Sequence, residues 1–158
     1  MHTPSDFKEM TEKHKVNGGG ICGQSCLAVI ERSSVNTILE NWKDMGLEWK
    51  GWSGWKQLRE YLEKRTYKVK LKRIDGLKLI NSNEVFYILR VQWLGEGKKQ
   101  EKPFYGWNHW AEASANTHFI IAHLGNFFCN EAGEWFDDLE FYTRENRAVI
   151  TSAMEVRL

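Results

Sequence analysis

Proline is nearly absent, two in 158 residues, so almost no position is barred from a helix or a strand ladder by a missing N–H. Cysteine is scarce too. Three is an odd count, and the spacing is not that of a disulfide framework, which excludes a small disulfide-stapled domain and leaves free thiols suited to a reducing cytosol. No apolar run approaches the ~20 residues that a membrane-spanning helix needs, and the polar start, Met1–Lys15, does not read as a signal peptide. An excess of one charge is also lacking: 22 basic against 21 acidic residues give a net charge of +1. No global field therefore draws the chain to nucleic acid or to an anionic membrane. The expectation is a cytoplasmic protein without a membrane partner.

What the chain does have is tryptophan, eight of them. Indole brings a large apolar area and an N–H that wants a partner, so it suits a core, a cleft or a stacking platform. The length fits one domain that buries roughly two-thirds of its unfolded surface. Residues 1–20 read as a tail or loop ending in Gly18-Gly19-Gly20, and 21–158 as the domain itself. Helices are predicted from Cys22 to about Arg32, after a Ser34 cap with Val35, Ile38, Leu39, Trp42 and Met45 inward, and after Ser53 with Trp55, Leu58, Tyr61 and Leu62 inward. The pattern then changes. Tyr67–Ile74 and Val85–Trp93 read as strands, Thr117–His123 and Phe127–Asn130 as a hairpin, and Arg147–Leu158 as a closing strand. Helices first and antiparallel strands after predict an α+β domain.

Cys22 stands where a helix begins, behind three glycines and before Gly23. The unpaired N–H groups and partial positive charge of a helix N-terminus favour a thiolate. A cysteine nucleophile also needs a base, most often a histidine held by a third polar group. His118 opens the apolar strand Phe119, Ile120, Ile121, a rigid mount for an imidazole, and Asn130 ends the next strand. The hairpin sets a geometric condition. A two-residue turn at Gly125-Asn126 directs Asn130 away from His118. A three-residue loop of Leu124, Gly125 and Asn126 pairs His123 with Phe127 and sets Asn130 diagonal to His118, about 7–8 Å away.

The stretch Cys22-Gly-Gln-Ser-Cys26-Leu-Ala-Val-Ile30 and the later Thr117-His-Phe-Ile-Ile121 resemble the papain-like cysteine peptidases. The likeness is to those that trim double-glycine leaders from bacteriocin precursors, and to small phage and bacterial proteins with the same opening. The resemblance implies a nucleophile helix packed on an antiparallel sheet, with Cys22 as nucleophile, His118 as base and Asn130 as the orienting residue. It implies a peptide or protein substrate and no cofactor. Two positions differ from the pattern. Ile21 stands where those peptidases usually have Asp, and no Gln precedes Cys22, so the oxyanion donor falls to Asn17 or Gln24. The substrate cleft is expected around Trp52, Trp107, His109 and Trp110.

Other readings of the same residues stay open. Cys26 suits an apolar helix face as core, and His118 could be a satisfied core histidine. His123, beside the turn, is expected to face solvent. Asn130 could cap the turn to Gly133, leaving Asp137 as a fallback orienting group. A zinc site drawn from Cys22, Cys26, Cys129, His118 and His123 lacks the knuckle spacing of structural zinc. Lys68, Lys70, Lys72 and Arg73 near Trp49, Trp52 and Trp55 have the make-up of a single-strand nucleic-acid platform, but Glu48, Glu60 and Glu63 dilute the charge. The main rival is an inactive papain-like module that binds a peptide or protein, such as a phage-encoded inhibitor or anti-defence protein.

Overall fold

The computed structural model describes residues 1–16, 20–47, 54–93 and 117–158. Among these residues the chain forms an α+β domain with five helices and one antiparallel sheet of six strands. The helices are α1 (Phe7–Val16), α2 (Cys22–Ile30), α3 (Val35–Asp44), α4 (Trp55–Lys64) and α5 (Leu139–Glu145). The strands are β1 (Lys68–Lys72), β2 (Val85–Trp93), β3 (Thr117–His123), β4 (Asn126–Cys129), β5 (Glu134–Phe136) and β6 (Ala148–Arg157). Their order across the sheet is β1-β6-β2-β3-β4-β5, so the closing strand lies between the first strand and the second.

Residues 1–16 are not a tail. Ten of them form α1, whose Phe7 and Met10 are buried in the core beside Phe128 and the α2 side chains. The sequence hid this because α1 is mostly charged (FKEMTEKHKV) and offers only a narrow apolar stripe. α2 is the opposite case. Every residue from Gly23 to Ile30 is buried, so this helix runs through the interior rather than along a surface. Ser34 caps α3 by accepting from the Thr37 amide at 3.1 Å. Asp6 supplies a second cap, its two carboxylate oxygens accepting from the Val35 and Asn36 amides at 2.8 and 2.9 Å.

The alternation along β2, β3 and β4 divides the interior in two. Phe86, Ile88, Phe119, Ile121 and Phe128 meet α1–α4, while Tyr87, Leu89, Val91, Ile120, Ala122 and Cys129 meet Tyr142 of α5. The β2–β6 register shifts at Arg90/Val91, where Thr151 is the extra residue and its hydroxyl donates to the Arg90 carbonyl. No helix among the described residues is long and apolar enough to cross a membrane.

The β3–β4 hairpin closes on Leu124-Gly125, with φ of 52° and 75°, and pairs His123 with Asn126. Positive φ at both central residues is the turn whose twist matches the flanking strands. A two-residue loop thus replaces the expected three-residue one, and Asn126 becomes the first residue of β4. His123 is not solvent-facing either. It is 7% exposed, stacks on Phe86 with ring centroids 3.9 Å apart, and lies 3.0 Å from the Val85 carbonyl through Nδ1.

Candidate active site

α2 begins at Cys22 with no side-chain cap and no acid in its first turn. The positive end of the helix is therefore not answered by a protein group of its own. Cys22 is half-buried, packed at the margin of the helix-side core, while Cys26 one turn on is buried and its thiol is pushed up in pKa by burial and then by the neighbouring Cys22 and Cys129 sulfurs. All three cysteines are free.

His118, the second residue of β3, is buried at 4% exposure. It hydrogen-bonds the Cys22 side chain. Its Nε2 also lies 3.1 Å from Cys129 Sγ. Burial pulls the imidazole toward its neutral form, but the Cys22 charge and the hydrogen bonds to Cys129 and Cys22 outweigh it and raise the pKa well above the ordinary value. The Cys129 thiol is raised by burial and brought below the ordinary value by the hydrogen bond and charge of His118 and the Tyr142 hydroxyl. One imidazole thus serves two sulfurs. Cys22 is partly open, whereas Cys129 is 1% exposed.

Asn130 does not join them. The two-residue turn puts Cys129, not Asn130, on the His118 face of the hairpin, and one position further the chain alternates to the other side. There Asn130 Nδ2 donates to Thr11 Oγ1 of α1 at 2.9 Å. The fallback Asp137 is exposed, in the link between β5 and α5. Gln24 is fully buried, and neither of its amide atoms has a hydrogen-bond partner among the described residues. It offers a substrate no open donor. Asn17, Trp52, Trp107, His109 and Trp110 lie outside the described residues.

Sequence reasoning missed Cys129 and Tyr142. In the sequence Cys129 stands out only as one possible metal ligand, and among the described residues no group of three or more His, Cys, Asp or Glu is arranged to hold a metal ion. The signal that finds it is the turn: Leu124-Gly125 as the loop puts residue 129 diagonal to 118. Tyr142 carries no such signal, because it stands on a short helix and lies thirteen residues beyond Cys129. On the helix side of β3, Trp55 packs on Phe119 with ring centroids 4.8 Å apart and donates from its indole to Ser152 at 2.9 Å. No protein-family model, no curated protein and no solved structure matches the chain.

Proposed function

We propose that the chain is a papain-like cysteine peptidase, a thiol acyl-transfer hydrolase acting on a peptide or isopeptide bond, with Cys22 as nucleophile and His118 as base. The observation that carries this reading is the hydrogen bond between Cys22, at the uncapped start of a buried helix, and a histidine mounted on a central strand.

In this mechanism the Cys22 S–H proton passes to His118, and the thiolate attacks the scissile carbonyl. The oxyanion that forms is assigned to the N–H groups of the first turn of α2, which has no side-chain cap, in place of Gln24, which is too buried to reach it. His118 then gives its proton to the leaving amine, and the acyl group stays on Cys22 as a thioester. Water attacks the thioester, His118 takes the proton from that water, and the acid leaves as Cys22 regains its hydrogen. Rigid mounting on α2 and β3 supports this scheme, because both partners sit on elements packed into the core rather than on loops.

The reading is tested by alkylation of the native chain with iodoacetamide. Cys26 and Cys129 are buried, so the native signal belongs to Cys22. Reaction at neutral pH is expected to run about tenfold faster than for a free cysteine thiol. It should vanish in Cys22→Ala and fall about tenfold in His118→Ala. A native thiol that reacts like free cysteine and ignores His118→Ala would remove the nucleophile, and the chain would then be read as a peptide- or protein-binding module.

A further inference from the structure

His118 has two sulfur neighbours, and the scheme above gives a role to one. The second, Cys129, is too buried for any peptide to reach. Three donors converge on its sulfur from three parts of the chain. His118 Nε2 of β3 lies at 3.1 Å and the Tyr142 hydroxyl of α5 donates from 3.4 Å. The backbone N–H of Ala132, in the turn after β4, is the third. A buried sulfur that collects N–H and O–H donors is an acceptor site, and such donors favour the thiolate.

We propose that Cys129, held by Tyr142, is the positioning residue for His118, a sulfur that does at the far ring nitrogen what a carboxylate or amide oxygen does in other nucleophile–histidine sites. This rests on the Cys22–His118 reading. An imidazole nitrogen makes one in-plane hydrogen bond. With Nε2 donating to Cys129, Nδ1 is left to take the Cys22 proton, so the tautomer is fixed before substrate arrives. Among the described residues, Cys22 of α2 and Cys129 of β4 act on the ring, Cys26 of α2 lies near both sulfurs, and Tyr142 of α5 contacts Cys129, with Glu131 acting on Tyr142. Burial, and then Cys129, hold the Tyr142 pKa above that of an ordinary phenol, so it remains a donor through neutral pH.

The direction of the effect follows. Without the Cys129 acceptor the imidazolium loses support, His118 becomes a weaker base, and Cys22 gives up its proton less readily. Alkylation of the full chain with iodoacetamide across about pH 5 to 9 reads this, with Cys22→Ala as blank. Cys129→Ala should move the pH profile up by about one unit, about tenfold slower at neutral pH. Tyr142→Phe should move it the same way by less, and Cys129→Ser, which keeps an acceptor, should recover part of the loss. A mere loss of packing lowers the folded fraction, seen by circular dichroism, without moving the profile. Should Cys129→Ala fail to fold, Tyr142→Phe removes one hydroxyl and carries the test. A profile that responds to His118→Ala but is unmoved by the Cys129 and Tyr142 variants overturns the positioning role and leaves the peptidase reading intact. A wild-type thiol indifferent to His118 defeats that reading and this inference with it.

Discussion

Glu31 follows the last residue of α2, and its carboxylate must satisfy two partners at once. It accepts from the Tyr61 hydroxyl at 2.5 Å and from Arg65 at 2.6 and 2.9 Å, with 7% of its side chain exposed. Tyr61 in turn accepts from Asn41 at 3.1 Å, so one acid ties the end of α2 to α3 and α4. Removing it strands a buried phenol and an arginine. Glu31→Ala should cost about 2–3 kcal/mol, measured by urea unfolding, far more than an exposed ion pair is worth. Tyr61 adds a pH dependence. Burial, and then Glu31, raise its phenol above the usual pKa. A raised folded pKa gives stability that is whole below the unfolded value, about 10, and is lost as pH climbs beyond it. Tyr61→Phe should therefore flatten the alkaline arm of the stability curve, and an unchanged arm would assign it to other groups. None of this was legible in the sequence, since the partners of Glu31 lie 30 and 34 residues away.

Among the elements, the β3–β4 turn decides which residues meet at the site. Leu124 takes a left-handed conformation with φ of 52°, a region an L-residue enters at a cost of about 1–2 kcal/mol. Gly125 beside it has no such penalty. Leu124 is 37% exposed, so replacing it sacrifices little core. Leu124→Asn creates the Asn-Gly pair that this turn favours and should stabilise the protein by about 1 kcal/mol, read from the urea midpoint. A loss of stability would mean that the apolar contacts of Leu124 outweigh its backbone strain. The same turn explains how far the sequence could be read. α2, α3, α4, β2 and β3 were legible because their apolar periodicity is strong, and with them the places of Cys22 at the start of α2 and of His118 in β3. The sequence favours a loop one residue too long, ending on Asn126, because Asn tolerates the left-handed region better than Leu124 does. In a sheet, one residue exchanges the two faces, and that error put Asn130 where Cys129 belongs.

At the scale of the whole molecule, a segment of largely polar sequence is among the most widely connected. The first sixteen residues place Phe7 and Met10 in the core, and Asp6 caps α3. Thr11 accepts from Asn130, Thr3 accepts from the Trp135 indole, and His2 Nε2 meets the Ser33 carbonyl. These contacts join α3, the loop before it, the end of β4 and β5. Truncating a buried Phe alone costs about 3–5 kcal/mol, and a lost cap adds about 1. A domain of this size has only about 5–15 kcal/mol in all. Deleting residues 1–16 should therefore leave a chain that does not fold cooperatively, seen as loss of the thermal transition by circular dichroism. The milder Asp6→Ala should fold, with a urea midpoint lowered in line with about 1 kcal/mol. If the deleted chain kept a sharp transition, α1 would be an appendage, and the support for α2 would have to come from α3, α4 and the sheet alone. If it loses the transition while Asp6→Ala keeps it, α2 stays buried only because a charged, unpromising stretch of sequence closes over it.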